Sequence, residues 1–589
     1  MITLFDLFLT IILTSPFTTM VSRTGELTLW HLPDLSLSDS LLFIIFYALV
    51  VHRIYNKYEI QPSNLPATIL LLGGVPALPC YFLLGNLQSK ILAILFAYSI
   101  FYAALVISII LYRISTLHPL AEYPGPISLK VSKFFGMYYA SGGKQYALFK
   151  GLHDKYGPIV RVGPNHLSVT EVEAIPQILG PDGMRKGPLW DAVVKPGTPP
   201  NIVALRDIGQ HNERRKLWNH AFTTVSLKEL QVTVEIRVLE LVEELGKQIP
   251  PKSSGEKDAS LDLAQWLTYF TYDFMGDMVF GEGFGLMNCG DGRGMRALLE
   301  NYAELAGHLE HIPWITGLLY KIAVVSAEQQ NFEDLAIQRY EKRKEEGSKR
   351  RDLFHYFTNE EGLEKMEVSR DQCLNEVFAS IFAGGDTIST VLGGIFFHLL
   401  ANPSVLDRLR KEVDSEFPPG EGEPFDAVKL AGMPYLNAVI NEALRLHPAV
   451  ATSIQRTPIE GSGGKVIAGR WMPESTILYV PPYVLHRDPR YFAPSPDSFI
   501  PERWLDTIDG EGHSFTTDTS AFIPFSAGPA NCVGKSLALL EMRMVVATMV
   551  QKFDMKFAAR YDPRKWEEDL QDFFVMKVGK LPVVLNVRE

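Results

Sequence analysis

Cysteine is scarce in this 589-residue chain: four residues, at positions 80, 289, 373 and 532, with no paired spacing. That excludes a disulfide framework and a zinc knuckle as organising devices, and makes a reducing compartment the simpler setting for the main body. Positive charge is not in excess either. Lys and Arg number 56 against 67 Asp and Glu, a formal net charge of −11, which argues against nucleic acid as a general partner. The amino terminus lacks the basic n-region of a cleaved signal peptide.

What is present is the composition of a folded protein, 47% hydrophobic and 21% charged, on a chain long enough for a large core. The leading 117 residues differ from the rest. Ile91 to Tyr112 is an uncharged apolar run long enough to span a bilayer. Ile2 to Phe17, Leu41 to Val51 (extended back through Asp39) and Pro66 to Leu84 are further hydrophobic segments. His52, Arg53 and Lys57 follow one run, and Arg113, Lys130 and Lys133 follow the last, so the positive-inside rule puts both flanks in the cytosol. Three spans, from about 35, 66 and 91, satisfy this; a single span from 91 to 112 with the other segments in the interface is the alternative. Residues 118–126, with Pro119, Pro124 and Pro126, form a stiff hinge that ends the leader. The remaining 127–589 read as one further domain.

Within it, Gly151 to Thr170 predicts a β-hairpin turned by Gly-Pro pairs, and Pro188 to Gly209 a long loop of the kind that is often functional. Helices are expected over His211–Phe222, Leu227–Leu245, Leu261–Phe280, Cys373–Leu400 and Tyr435–His447 from their apolar periodicity. The cluster Arg214, Arg215 and Lys216 reads first as a solvated basic face. Lys247 to Asp258 reads as a surface loop, and Phe332 to Arg351 as a charged, solvated helix. The patch around Trp314, with Leu318 and Leu319, fits a ligand contact, the bilayer surface or core packing.

Two stretches ask for a chemical explanation. Ala383-Gly384-Gly385-Asp386-Thr387 sits in the middle of the longest apolar helix, where each glycine costs roughly 1 kcal/mol relative to alanine. Either close helix packing or room for a ligand against the backbone would repay that. Asp386 is expensive there unless paired or used, and the Thr387 hydroxyl can compete for the carbonyl of residue 383. The second stretch is Phe525-Ser526-Ala527-Gly528-Pro529-Ala530-Asn531-Cys532-Val533-Gly534, a glycine-punctuated loop that delivers one cysteine to the start of an apolar helix. Free N–H groups of the first turn favour a thiolate there. A metal ligand and a small buried core residue are both open readings of Cys532 alone.

In this order, with Glu442-x-x-Arg445 and Pro501-Glu502-Arg503-Trp504 between them, these pieces resemble the cytochrome P-450 superfamily of haem-thiolate monooxygenases from about His118 to the carboxyl terminus. The wording of the cysteine loop and the membrane leader resemble fungal microsomal members. The resemblance implies a mainly α fold with a small β-rich lobe, preceded here by transmembrane helices. It implies haem b with Cys532 as its axial iron ligand, and Phe525, Gly528 and Gly534 shaping the loop. Asp386 and Thr387 would carry protons, and Glu442, Arg445 and Arg503 would form a structural charge cluster.

Two positions depart from the family's pattern. Ala530 stands where a cation usually meets a haem propionate, and His211 stands where a tryptophan is common. His211, Arg215 and Arg456 are the remaining propionate partners that the resemblance implies. The implied reaction is hydroxylation of a lipophilic small molecule, a terpenoid or other secondary metabolite, with dioxygen and with NADPH electrons passed through a cytochrome P-450 reductase. Lys216, Arg214 and Lys535 are expected to face that reductase. The implied setting is the endoplasmic reticulum membrane, with membrane lipid around the leader and the catalytic domain in the cytosol. A haem-thiolate isomerase or dehydratase, and a non-catalytic haem- or lipid-binding membrane protein, are the alternatives. The substrate pocket is expected from Pro188–Arg206, the Trp314 patch and Val450–Ser453, all mostly apolar.

Overall fold

A computed structural model of the chain describes residues 35–57, 68–250, 260–292, 294–316, 323–347, 351–360, 362–505 and 514–588. The candidate span Ile2–Phe17, most of the loop from Lys247 to Asp258, and Leu318 and Leu319 lie outside the described residues. The described residues divide into two compact units, the second beginning at Ile109.

Helices α1 (Leu37–Lys57), in the first unit, and α2 (Lys90–Ile114), whose residues up to Ser108 belong to it, are long and apolar enough to cross a membrane. Each buries one narrow stripe. In α2 it is Ala93, Ala97, Phe101 and Leu105, recurring every four residues, while Ile91, Leu92, Leu95, Ile107 and Leu111 stay exposed as lipid-facing side chains would. The third segment, expected to span from about 66, forms only the shorter apolar helical stretch Leu70–Leu84. Pro76 and Pro79 cannot donate to a regular ladder, and the stretch passes through π and 3₁₀ turns. It is too short for the ~20 apolar residues a helical span needs.

The second unit is mainly helical. Helix α3 (Gln145–Tyr156) ends at Gly157, whose φ of 94° breaks it. The predicted hairpin therefore starts later than expected, as β1 (Ile159–Gly163) paired antiparallel with β2 (His166–Val169). A five-stranded sheet runs β1-β2-β5-β4-β3, with β3 at Arg185–Lys186, β4 at Gln455–Thr457 and β5 at Ile477–Tyr479. The long loop after β3 is irregular except for the single turn of helix Leu189–Ala192.

Helices α4 (Ile208–Ala221) and α5 (Thr224–Lys247) are started by Asp207 and Thr223, whose side chains accept from the N–H groups of Gln210 and Ser226. Helix α6 (Leu263–Phe280) lies along α8 (Arg370–Ala401), which Ser369 caps. Helix α7 (Met295–Leu309) comes between them in sequence. α8 is also long and apolar enough to span a membrane, but most of its apolar window is buried in protein, so it is a core helix. Helix α9 (Pro434–Leu446) and α10 (Lys535–Lys552) complete the set that shapes the site.

Candidate active site

Cys532 reaches the interior because its loop folds back on itself. The Cys532 N–H donates to the Phe525 carbonyl at 2.9 Å, and Asn531 N–H to the Gly528 carbonyl at 3.1 Å. Gly528 makes the turn possible: its φ is +72°, and a Cβ there would lie 1.8 Å from the Leu179 carbonyl oxygen. Gly534 ends the loop at the start of α10, where a Cβ would meet only Cys532 Sγ, at 3.9 Å, and Phe222 at 4.0 Å. The thiol opens to a cavity of about 500 Å³. It counts as exposed because it faces that cavity, although protein encloses it elsewhere. Burial pushes its pKa up, against the N–H groups of Gly534 and Lys535 and the charges of Arg215 and Lys535. The helix start alone does not make this sulfur a thiolate; a cation facing it from the cavity would complete the balance.

One wall of the cavity is cationic. Arg215 forks onto Asn531, with Nη1 donating to the carbonyl at 2.7 Å and Nη2 to Oδ1 at 2.9 Å. Arg456 donates from Nη1 to the Gln455 carbonyl at 3.0 Å and is lowered by burial to about 10. His211 is buried, and burial together with the Lys186 charge lowers it to about 4, so it is neutral near neutral pH. All three line the cavity, and so does Lys186, which no sequence motif marked. Ala530 lines it too and contributes no charge.

Another part of the lining comes from α8. Thr387 lines the cavity, and its Oγ1 donates to the Ala383 carbonyl at 2.6 Å. Asp386 turns away to α6, where its carboxylate accepts from the Tyr272 hydroxyl. Burial raises Asp386 to about 6. A Cβ on Gly384 would lie 2.2 Å from Met275 Sδ, and one on Gly385 would lie 2.6 Å from the Tyr272 ring. The two glycines thus admit α6 side chains against α8, while Gly384 also keeps a place on the cavity wall. Phe378, Phe382, Leu298, Leu305 and Phe574 give the interior a largely apolar lining, with Asn301, Asn375 and Glu541 as polar members.

Behind the cysteine, Glu442 is fully buried and accepts from Arg445 Nη2 and Nε, each at 2.8 Å. It also accepts from Arg503 Nε, Trp504 Nε1 and the Ile500 N–H, each at 2.9 Å. These donors hold its pKa below the ordinary carboxylate range despite burial. Arg445 Nη1 donates to the His486 carbonyl at 2.8 Å, and His486 Nε2 accepts from the Ile523 N–H at 2.9 Å. The cluster is thereby tied to the strand of chain that enters the cysteine loop.

Two expectations change. Arg214 does not face a partner: it is buried and ion-paired with Glu376 at 2.6 Å, and Glu376 also accepts from the Ile202 N–H at 3.1 Å. Trp314 does not line the cavity; it is exposed, with its ring edge-on to Phe134 at 6.4 Å. From the segment after α9, Val450 and Ser453 line the cavity, whereas Thr452 is taken up by Asp572 at 2.7 Å.

The residues present fit haem. A thiol at the mouth of a loop, a largely apolar interior and a cluster of cationic side chains match the iron, ring and propionates of that group. Cys532 would hold the metal, and Arg215, Arg456 and His211 would hold the carboxylates.

Comparison with known proteins adds an independent line. The family model for cytochrome P-450 matches residues 126–582. Cytochrome P-450 67 of Uromyces fabae is 30% identical over 551 residues, covering 91% of this chain and 97% of that protein. Trichothecene C-15 hydroxylase of Fusarium sporotrichioides is 31% identical, covering 80% of this chain and 94% of that protein. Tryprostatin B 6-hydroxylase of Aspergillus fumigatus is 30% identical, covering 82% and 83%.

Proposed function

The chain belongs to the cytochrome P-450 family of monooxygenase oxidoreductases, and from that premise we propose that it hydroxylates a lipophilic secondary metabolite, a terpenoid or a molecule of similar polarity. The observation that carries this reading is the Cys532 thiol facing an apolar cavity whose adjoining wall is cationic. The names of relatives acting on trichothecene and tryprostatin B support the substrate class.

Haem, when bound, supplies a thiolate-ligated iron that activates dioxygen. The chain's residues do the rest. Arg215 and Arg456 would neutralise the propionates, and His211, uncharged near neutral pH, would offer them a hydrogen bond. The aromatic and leucine lining excludes bulk water and positions the substrate by shape. Thr387, on the cavity wall, would hold a proton donor towards the reacting oxygen. Asp386, behind it, with its pKa raised by burial to about 6, would pass protons towards it through water. Electrons come from NADPH through a cytochrome P-450 reductase. Lys535 and Lys216 are exposed, although Lys216 is shared with Glu213 at 2.9 Å. With α1 and α2 as anchor, the reading places the enzyme on the endoplasmic reticulum with residues 127–589 in the cytosol.

Titrating the haem-loaded full chain with terpenoid and alkaloid metabolites tests the substrate class. A low-to-high-spin shift, followed by NADPH-dependent product carrying one added oxygen atom, is expected. Haem-loaded protein that binds none of the lipophilic panel but oxidises polar metabolites would overturn it.

A further inference from the structure

Phe574 is a bulky residue at a φ of +68°, a left-handed conformation that aromatic residues rarely adopt and glycine would adopt without strain. It is the single residue that joins β6 (Gln571–Phe573) to β7 (Val575–Lys577), whose adjoining ends Phe573 and Val575 lie opposite each other. Both strands are fixed from outside the hairpin. The Asp572 carboxylate accepts from Thr452 at 2.7 Å, and its N–H donates to the Gly143 carbonyl at 2.7 Å. The Met576 N–H donates to the Ala449 carbonyl at 2.8 Å, and its carbonyl accepts from the Thr390 hydroxyl on α8. Strain that the surroundings over-determine in this way marks a place where the side chain is used.

The turn delivers a ring to the cavity. That ring lies 5.4 Å from Trp190, edge-to-face, and 6.4 Å from Phe382 on α8. Phe382 in turn lies 6.0 Å from Tyr302 on α7, again edge-to-face. All four rings line the cavity, and they come from four separate elements. A row of this kind offers ring faces and ring edges together. A flat conjugated ligand gains from the match of charge between faces and edges, whereas a saturated one gains only from the area it buries. At one end of the row Trp190 is buried, yet its indole N–H has no acceptor among the described residues. A buried donor left unpaired is costly, and an indole can only donate. It calls for an acceptor on the molecule that fills the cavity.

We infer that the cavity selects a flat, conjugated ring system carrying a hydrogen-bond acceptor such as a ring carbonyl. Phe574 sets the preference for flat rings, and Trp190 reads the acceptor. The inference rests on the lipophilic-substrate reading above and narrows it.

The test measures dissociation constants by equilibrium dialysis on the haem-loaded full chain, with fluorenone, fluorene and perhydrofluorene as probes sharing one tricyclic skeleton. Ratios between probes are compared across variants, which cancels the partitioning of each probe. Phe574→Leu keeps the apolar bulk and removes the ring, so the preference for fluorene over perhydrofluorene should fall about fivefold. Trp190→Phe keeps the ring and removes the donor. Its preference for fluorenone over fluorene should fall about fivefold, with the fluorene-to-perhydrofluorene ratio within about twofold of wild type. If Phe574→Leu does not fold, Phe574→Gly, which suits the turn, gives the same comparison. A Phe574 variant that weakens all three probes equally, or a Trp190→Phe variant that keeps the wild-type preference for fluorenone, overturns the inference. So does a wild type that binds terpenoids and none of the tricyclic probes. A haem-loaded wild type that binds no lipophile at all would instead remove the lipophilic-substrate reading itself.

Discussion

The Tyr272 hydroxyl donates to the Asp386 carboxylate, joining α6 to α8 one residue before the threonine that faces the cavity. The acid that sequence reading assigned to proton transfer is thus held from behind. Its raised pKa, about 6, means the folded protein binds that proton more tightly than the unfolded chain does between about 4 and 6. Stability therefore falls as pH rises through that window, and the cost, at most about 3 kcal/mol, is fully in place above it. Asp386→Asn removes the charge while its amide oxygen can still accept from Tyr272. Its melting temperature should exceed that of wild type at about pH 7.5, with the advantage gone at about pH 4. An advantage independent of pH would contradict the burial argument.

Thr387→Ala removes the hydroxyl that now rests on the Ala383 carbonyl. Product formed per dioxygen consumed should fall about tenfold, with NADPH oxidation reduced far less. Unchanged coupling would require the proton-transfer role of Thr387 to be withdrawn.

Glu442→Ala strands the buried guanidinium groups of Arg445 and Arg503. Breaking a buried pair in this way costs about 3–5 kcal/mol, and the link through His486 to Ile523 loosens with it. The denaturation midpoint should drop accordingly, and haem content after purification should fall. A midpoint within about 0.5 kcal/mol of wild type would show that the cluster is not structural.

Gly528→Ala places a methyl group against the Leu179 carbonyl at a φ that disfavours any side chain. The strain exceeds about 1 kcal/mol and is concentrated in the cysteine loop. Far-ultraviolet circular dichroism should be retained while the thiolate spectral signature weakens; an unchanged signature would mean that the loop has another accessible path.

Much of this was legible in the sequence because local signals were strong. The periodicity of α5, α8 and α9 placed those helices within a few residues, and Cys532 lay at a helix start that glycines made accessible. Partners far apart in the chain left no such signal. Tyr272 and Asp386 are separated by 114 residues, and Arg214 and Glu376 by 162. Arg214, Arg215 and Lys216 looked like one basic face, but consecutive residues on a helix point about 100° apart. One therefore enters an ion pair, one reaches the cavity and one meets solvent. Lys186 sits in a strand too short to have a period. The stretch from residue 66 looked long enough to span by composition alone, whereas its described apolar helical part is the shorter Leu70–Leu84.

The central claim is that Cys532 holds haem iron as a thiolate. The reduced carbon monoxide difference spectrum of the haem-loaded full chain tests it most directly. The account predicts the red-shifted Soret band of a thiolate-ligated haem in wild type and its loss in Cys532→Ala. A folded, haem-containing wild-type protein without that band, or a Cys532→Ala variant that keeps it, would contradict the account.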